Sequence, residues 1–311
     1  MVMSPVLPCV PRISVIIPCY RDAATLGRAL TSLQKQTRHA NEVIVVDDCS
    51  PESDLIREVI AGFPQTVYLR NATNLGLAGT RNRGLQEATG DIVAFLDADD
   101  EAHPQRIEWQ LKLVDDNTAV ACDVERIPVG GTAVPQQYPW PPQVTSYRST
   151  ATMIYANRLT GASLMAPAEL LRRAAGYDAS LRSCEDFDLW LRLLTAGCCV
   201  KRIHRPLYFY HQNPAGLSRR YHDIARWELA VVEKFTTSRG AVDDLRTGTI
   251  WTVWLLRHFA RAAVLADPAL HAQVRNELVR LEKWPVLCWL VKLIAASGIL
   301  KLWQRTFEAR T

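Results

Sequence analysis

The chain has 311 residues, of which 48% are hydrophobic and 22% are charged, and its formal net charge is +4. This is the composition of an ordinary globular protein, and it excludes a chain that is disordered over its whole length. Because the net charge is small for this size, it argues against a dedicated nucleic-acid surface, and we expect no nucleic-acid partner.

The N-terminus and the cysteines bear on the cellular compartment. The first ten residues lack a basic stretch followed by a long apolar run, which predicts neither a signal peptide nor a spanning helix there. The eight cysteines form no Cys-x-x-Cys pair, and several lie in apolar runs, as free cysteines do in a reducing compartment. We therefore expect a cytoplasmic location.

Strands and helices alternate over the first 114 residues. Short β-branched runs predict strands at 13–17, 42–46, 66–69 and 92–96. Apolar residues at helical spacing, with Pro51 in a favourable first position, predict helices at 23–36, 51–61, 77–88 and 104–114. This alternation is typical of a parallel sheet covered by helices, in which ligands bind beyond the carboxyl ends of the strands. The predicted fold class is therefore α/β, with a Rossmann-like, mostly parallel sheet and flanking helices.

The pattern changes after residue 123. A strand is predicted at 119–123, and the segment 127–142, rich in Pro, Gly and Gln, is predicted to form a loop or lid. An apolar run at 161–165 precedes a predicted helix at 185–196 and a strand with a return segment at 200–211. From Tyr221 onward the chain has a helical pattern rich in Trp, Leu and Arg. These features predict two domains, 1–220 and a helical C-terminal region at 221–311.

The C-terminal apolar run at 284–307 is the one candidate for contact with a membrane. Lys292 and Lys301 interrupt it on opposite sides of a helix, and Gly298 weakens its middle, so a spanning helix is not expected. Flanking Trp and Lys side chains suit either packing against the rest of the protein or partial insertion at a membrane surface. Peripheral association with the cytoplasmic face of the membrane is therefore an alternative to a fully cytoplasmic protein.

Three carboxylates, Asp97, Asp99 and Asp100, follow directly on the fourth predicted strand. Carboxylates this close repel one another and raise each other's pKa unless a cation compensates them. Hard oxygen ligands suit Mg²⁺ or Mn²⁺, which take one or two protein carboxylates together with water and phosphate oxygens. A lone Asp-x-Asp is more often a turn or a helix cap, so the prediction of metal-assisted phosphate chemistry depends on the other residues at this edge.

The second predicted strand ends in another acidic pair, Asp47 and Asp48. Ser50 and Pro51 already supply a start for the next helix, so we expect both aspartates to be surplus to helix capping. A carboxylate at this position accepts hydrogen bonds from a ribose hydroxyl or a base N–H in dinucleotide-binding folds. The glycine-containing segment that follows carries Arg81, which could serve a base or a phosphate or could simply be solvated.

A third acidic group, Glu185, Asp186 and Asp188, opens the amphipathic helix predicted at 185–196. Acidic residues in a first turn favour the positive end of the helix dipole, which accounts for one or two of them. The functional interpretation is that one carboxylate faces the cleft as a general base and removes the proton from an attacking hydroxyl.

Taken in order, these motifs resemble those of the family 2 inverting glycosyltransferases, which have a Rossmann-like fold of the GT-A type. The resemblance covers about residues 12–215 and is carried by 13–20, 46–50, 74–84, 96–100, Gly161, 176–178 and 185–193. It implies a nucleotide-binding part at about 12–123 and an acceptor part at about 124–220. It also implies transfer of a sugar from a nucleoside-diphosphate sugar to a hydroxyl of a glycan or lipid-linked acceptor, as in cell-surface polysaccharide biosynthesis. A UDP-sugar is the expected donor, with dTDP- and GDP-sugars as alternatives.

The resemblance also implies a donor site, residue by residue. It places Pro18 and Tyr20 beside the nucleotide, Asp48 and Arg81 on its base, and Asp97 in the metal and ribose-diphosphate site. These five residues are the predicted donor-binding set.

The same resemblance implies the metal ligands and the base. Asp99 is the expected direct ligand of Mg²⁺ or Mn²⁺, together with Asp97, and the cation assists departure of the nucleoside diphosphate. His211 lies where relatives place a loop over the diphosphate and is predicted as a further ligand. Asp186 matches the family's base, and Glu185 is its nearest competitor.

Other functions stay open at this point. A sugar nucleotidyltransferase would need a glycine-rich, basic phosphate loop after the first strand, and the sequence from Cys19 to Ala24 has none. A receiver-like signalling domain would carry its acidic pair after the first strand, whereas here the pair follows the second. A catalytically inactive, glycosyltransferase-like nucleotide-binding protein differs only in lacking measurable sugar transfer.

Overall fold

The computed structural model describes residues 10–155, 159–213 and 221–237. The chain divides into two compact units, one formed by Met1–Arg148 with Arg158–Ala215, the other by Ser149–Asn157 with Gly216–Thr311. The C-terminal run at 284–307 lies outside the described residues. Within the described part, no helix is both long and apolar enough to cross a membrane.

The first unit contains a nine-stranded sheet and its flanking helices. Its strands are β1 (Ile13–Cys19), β2 (Glu42–Asp47), β3 (Thr66–Arg70), β4 (Ile92–Phe95), β5 (Glu101–Ala102), β6 (Thr118–Ile127), β7 (Val144–Tyr147), β8 (Met165–Pro167) and β9 (Cys199–His211). Its helices are α1 (Ala23–Gln34), α2 (Ser53–Ala61), α3 (Gly76–Glu87), α4 (Arg106–Leu111), α6 (Ala168–Arg173) and α7 (Glu185–Thr195), with a 3-10 turn at Gly161–Ser163. Of the second unit the structure describes α5 (Thr150–Tyr155) and α8 (Tyr221–Thr237).

The strand order is β3-β2-β1-β4-β8-β6-β9-β5, and β7 also pairs with β9. Strands β1 to β4 are parallel to their neighbours within that group, as are β6 and β9. Strand β8 is antiparallel to both β4 and β6, and β5 and β7 are antiparallel to β9. The parallel half gives the carboxyl ends of β1, β2 and β4 a common edge. The predicted α/β fold class is confirmed.

The core is formed by the buried strands and the helix faces that cover them. Every residue of β1 and β4 is buried, which is why their sequences are nearly continuous apolar runs and do not alternate. Leu26 and Leu30 of α1 belong to the same cluster of buried side chains as Val15 and Ile17 of β1. A β-carbon at Gly84 of α3 would overlap the side chain of Ile16, so glycine lets this helix lie close to the sheet.

Pro18 does not end the first strand, contrary to prediction, since β1 continues to Cys19 and Pro18 pairs with Val46. The carbonyl of Ile16 accepts from Leu96 N, which shows that alternate residues of β1 face β4. The register pairs β4 with β1 only as far as Phe95 opposite Ile16. The absent N–H of Pro18 therefore breaks no hydrogen bond of the ladder.

The region after β4 departs most from the prediction. The apolar run predicted at 161–165 is a 3-10 turn that leads into β8, and neither α6 nor β7 was predicted. The predicted loop at 127–142 begins later, because β6 continues to Ile127 alongside β9. Part of this loop contacts the segment before α4, because the side chain of Gln105 forms hydrogen bonds with both the backbone N and the backbone O of Tyr138.

Candidate active site

The site lies at the carboxyl edge of the parallel strands. Strands β1 and β2 end side by side, with Cys19 paired with Asp47, and Asp48 N donates to the carbonyl of Cys19. The Asp-x-Asp segment begins two residues after β4. The acidic groups after β2 and β4, about 50 residues apart in sequence, therefore share one edge, as expected for parallel strands.

Asp48 is held by the start of α3. Its Oδ1 accepts from Leu75 N at 2.7 Å and from Asn71 Nδ2 at 2.8 Å, and its Oδ2 accepts from Gly76 N at 2.9 Å. As predicted, Asp48 does not cap α2, the helix after β2, but it does cap α3, which the sequence analysis did not predict. Its role as a ligand of the nucleotide base stays a prediction.

Asp47 also has a structural partner set. Its Oδ1 accepts from Ser50 N at 2.7 Å, and its Oδ2 accepts from the hydroxyl of Tyr68 at 2.6 Å. Asp47 therefore fixes the turn after β2, a local role that the sequence analysis did not predict. The start of α2 at Ser53, two residues beyond the predicted one, leaves Ser50 and Pro51 in that turn.

Asp97 and Asp99 lie close to a third carboxylate, Asp22, which follows β1. Burial together with the charges of Asp97 and Asp22 raises the pKa of Asp99 to about 7. Burial and the charge of Asp97 also raise the pKa of Asp22 to about 6. The raised pKa values of Asp99 and Asp22 mean that the negative charge at this edge is not fully compensated by the protein. A bound cation would compensate it.

The other acidic residues of the segment contact β9. Asp100 accepts from the hydroxyl of Tyr208 at 2.6 Å and from His211 N at 2.8 Å, and burial with the charges of its neighbours raises its pKa to about 8. His211 Nε2 lies 2.7 Å from Glu101 Oε1. Asp100 therefore anchors the end of β9, and the metal-ligand role of His211 stays a prediction.

The donor set fits a divalent cation at Asp97 and Asp99. Both offer hard carboxylate oxygens, and the negative charge that crowds there is the chemistry that Mg²⁺ or Mn²⁺ would neutralise. Over residues 10–155, 159–213 and 221–237, no three His, Cys, Asp or Glu side chains form a group that could hold a metal ion. A cation bound here would thus take two protein carboxylates and complete its shell with phosphate or water oxygens.

Arg81 is buried between the two acidic motifs. Its Nη2 donates to Asp97 Oδ1 at 2.9 Å and its Nη1 donates to Glu185 Oε1 at 2.8 Å. The guanidinium lies over the ring of Tyr177, 5.4 Å from its centroid. Its contacts in the structure are thus with protein groups, and a contact with the nucleotide base stays a prediction.

Asp186 is the partly exposed member of the acidic pair at the start of α7. Its Oδ2 accepts from Gly161 N at 3.0 Å, and a β-carbon at Gly161 would lie 2.5 Å from the β-carbon of Asp186. Its Oδ1 accepts from Phe187 N at 2.7 Å. Glu185, in contrast, is only 8% exposed and is paired with Arg81.

Burial and the adjacent charge of Glu185 raise the pKa of Asp186 to about 7. A group with such a pKa is a competent proton acceptor near neutral pH. Asp186, which is less buried than Glu185 and has a raised pKa, fits the role of a base better than Glu185 does.

Pro18 and Tyr20 lie at the end of β1. Pro18 is buried within the sheet, whereas Tyr20 is 41% exposed and the guanidinium of Arg21 lies 5.3 Å from its ring centroid. An exposed aromatic ring at this edge is available to stack on a ligand. The nucleotide contacts of both residues stay predictions.

Three residues other than glycine have a left-handed backbone around this edge. Arg21 has φ +62° after β1, Cys49 has φ +57° after β2, and Cys184 has φ +61° immediately before α7. Such conformations are unfavourable for residues with a β-carbon and cluster at functional sites. Here they redirect the chain at each of the three points where an acidic motif begins or ends.

The sequence analysis missed Asp22, Asn82 and Tyr177 as parts of this region. Asp22 had a visible signal, since an acidic residue just beyond the first strand falls at the same edge as Asp48 and Asp97. No local signal in the sequence indicates the contact between Asn82 and Tyr177, because 95 residues separate the two. Local pattern does not predict such a pairing.

Comparison with known proteins decides the family. The family model described as "Glycosyl transferase family 2" matches residues 14–174, which is more than half of the chain. The chain belongs to glycosyl transferase family 2. An uncharacterized glycosyltransferase of Haemophilus influenzae is 32% identical over 256 residues, which are 79% of this chain and 80% of the relative. The family prediction is confirmed, and the chain is a glycosyltransferase.

Other relatives extend the comparison. The amylovoran biosynthesis glycosyltransferase AmsB of Erwinia amylovora is 38% identical over 107 residues, 33% of this chain and 35% of AmsB. The crystal structure of S. aureus TarS 1-349 in complex with UDP-GlcNAc has a TM-score of 0.63 at 20% identity, covering 85% of this glycosyltransferase and 79% of that chain. The match to a longer TarS chain covers 43% of the length of that chain. At this identity the structural likeness concerns the fold, and the predicted GT-A type is confirmed.

Proposed function

We propose that this family 2 glycosyltransferase moves a sugar from a UDP-sugar to a hydroxyl of a glycan or lipid-linked acceptor, with inversion at the transferred carbon. The observation that carries the proposal is the position of Asp186. It is a partly exposed carboxylate with a raised pKa, linked through Glu185 and Arg81 to the carboxylate edge of Asp97 and Asp99. This link supports one site in which Asp186 acts as the base and Asp97 and Asp99 bind the cation.

The donor and the pathway are proposed from the relatives. One crystal structure of TarS is a complex with UDP-GlcNAc, and another, with a TM-score of 0.54, is a complex with UDP. AmsB is named for the biosynthesis of amylovoran, and this supports a role in cell-surface polysaccharide biosynthesis. A location at the cytoplasmic face of the membrane would suit a lipid-linked acceptor and is part of the proposal.

The proposed reaction is a single displacement. The acceptor oxygen attacks C1 of the sugar as the bond from C1 to the diphosphate oxygen breaks, and the hydroxyl proton passes to the carboxylate of Asp186. Asp97 and Asp99 would hold Mg²⁺ or Mn²⁺, which when bound supplies positive charge to the leaving diphosphate. Gly161 N and Phe187 N hold the carboxylate of Asp186 in place. Attack and departure on opposite faces of the sugar give inversion.

The first test is donor binding and transfer by the full chain. Calorimetry with UDP, dTDP and GDP, each with and without Mn²⁺, should give metal-dependent binding of UDP that Asp99→Ala loses. A labelled UDP-sugar should then give a product whose anomeric configuration, read by NMR, is opposite to that of the donor. Retained configuration would contradict the mechanism, and nucleotide binding without any transfer would favour an inactive binding protein.

A further inference from the structure

Arg81 connects two parts of the site that are distant in sequence. Asp97 lies 16 residues after it and Glu185 lies 104 residues after it, and both carboxylates accept a hydrogen bond from its guanidinium. The Arg81 side chain is 2% exposed and Glu185 is buried, so their ion pair is shielded from solvent, whereas the side chain of Asp97 is 29% exposed. One arginine therefore joins the carboxylate that follows β4 to the first residue of α7.

The surroundings of Arg81 hold it in this position. The ring of Tyr177 covers the guanidinium and itself packs edge-on against Phe95, the last residue of β4, with centroids 5.4 Å apart. The side chain of Asn82 bonds to both the N and the O of Tyr177, each at 2.7 Å. A β-carbon at Gly176 would overlap Asn82 Oδ1, so glycine permits this clamp. Residues 81 and 82 of α3 thus fix both the arginine and the ring above it.

The chemistry of the contact requires arginine. The planar guanidinium presents separate N–H groups to two carboxylates at once, whereas a lysine ammonium is a single point charge that cannot reproduce this fork. Without the guanidinium, Glu185 would be a buried negative group with no counter-charge from Arg81, which is strongly unfavourable, and the partly exposed Asp97 would lose the same partner. The distance and direction between these carboxylates therefore depend on this side chain.

We propose that Arg81 is a positioning residue, which fixes Asp97 and Glu185 relative to one another and thereby places the neighbouring Asp186 for proton removal. This inference rests on the proposed function of Asp186. The groups that face Asp186 are Glu185 on its own helix, Arg81 from α3 and Tyr177 from the segment before α7. The positive charge of Arg81 lowers the pKa of Asp186, whereas burial and Glu185 raise it.

The experiment compares Arg81→Lys and Arg81→Met with the matched control Arg83→Met. Arg83 lies on the same helix, is 44% exposed and pairs only at the surface with Glu87. We expect Arg81→Lys to lower kcat on the order of 100-fold, since misplacement by about 1 Å costs that much. Its KM for the donor should change by less than about threefold. Arg83→Met should match the wild type in both constants.

The pH profile separates positioning from a merely structural role. In Arg81→Met the acid limb of kcat should move to higher pH by about one unit or more, because a nearby positive charge has been lost. In Arg81→Lys it should move less. A raised donor KM with unchanged kcat and an unchanged limb would show that Arg81 is a ligand of the nucleotide. A lower melting temperature with a normal kcat and an unchanged acid limb would show that Arg81 has only a structural role. Either of these two results would overturn the proposal.

Two measurements keep the test independent of folding and of sugar transfer. If Arg81→Met does not fold, the double variant Arg81→Met/Glu185→Gln removes the charge left without its partner, and it is compared with Glu185→Gln alone so that the two differ only at Arg81. Titration of ¹³C-labelled aspartate by NMR, without donor, should show a higher pKa for Asp186 in the arginine variant than in Arg83→Met. An unchanged titration of Asp186 would refute the inference. Absence of transfer by the wild type would instead refute the proposed function.

Discussion

Asp186 accepts two backbone hydrogen bonds, which favour its charged form, and yet its pKa is raised to about 7. Burial and the charge of Glu185 therefore outweigh the hydrogen bonds and the opposite charge of Arg81. A base must be ionised to accept a proton, so the rate should fall about tenfold per pH unit below pH 7. We expect Asp186→Asn to retain UDP binding and to lower kcat by about 10²- to 10⁴-fold. Steady-state kinetics between pH 5 and 9 test both statements.

The raised pKa of Asp186 also makes the stability of the folded protein depend on pH. The folded-state pKa lies above the value of about 4 expected for an unfolded aspartate, so the folded protein binds the proton more tightly. The contribution of Asp186 to the free energy of unfolding is fully present below about pH 4 and is lost as the pH rises through 7. The melting temperature of Asp186→Asn relative to wild type should accordingly increase with pH. A surface control, Asp54→Asn, should show no such trend, since its side chain is 89% exposed.

At the scale of the element, two glycines in helices are predicted to respond oppositely to alanine. Gly27 lies inside α1, where an added β-carbon would meet Val59 Cγ1 at an ordinary 3.7 Å, so Gly27→Ala should stabilise by about 0.5–1 kcal/mol. Gly84 lies inside α3, where the same atom would overlap Ile16 of β1. Gly84→Ala should destabilise by about 1–3 kcal/mol.

Chemical denaturation of the two variants and the wild type measures this difference. The pair is matched in substitution and in secondary structure, so the opposite signs would isolate the approach of α3 to the sheet. Equal destabilisation by both would contradict the role given to Gly84, and equal stabilisation would show that α3 can move away from β1.

The elements that sequence predicted well are those with local signals. The parallel half, from β1 to β4, follows from β-branched runs that alternate with helical spacing. Strand β8 was missed because it has three residues, and its position between β4 and β6 depends on partners far along the chain. Strand β7 was missed for the same reason, since it pairs with β9 more than 50 residues later.

Prediction of the site from sequence is limited in the same way. Asp97, Asp99, Asp186 and Glu185 could be named from sequence because acidic clusters at element ends are visible locally. The fixed position of Arg81 between two of them could not, because that contact depends on the packing of α3 and α7 against the sheet. The capping of α3 by Asp48 was not predicted for a similar reason, as its partners are 27 and 28 residues away.

At the scale of the whole molecule, the carboxylates of the site come from loops after three strands and from a helix more than 80 residues later. Asp22 follows β1, Asp48 follows β2, Asp97 and Asp99 follow β4, and Asp186 opens α7. A ligand that bridges this edge contacts groups throughout the first unit. Binding to the folded state alone stabilises it by about 2.7 kcal/mol at a ligand concentration of 100 times Kd.

We expect UDP with Mn²⁺ at that concentration to raise the melting temperature by several degrees, since each kcal/mol corresponds to about 2–4 °C for domains of this size. Mn²⁺ alone should have a smaller effect, because without phosphate oxygens the protein supplies only part of the coordination shell. Asp99→Ala should lose most of the shift, whereas Asp54→Ala, at an exposed surface position, should keep it. An equal shift in Asp99→Ala and in the wild type would mean that the nucleotide binds without a cation at this carboxylate. The stabilising charge at the edge would then have to come from the protein's own arginines.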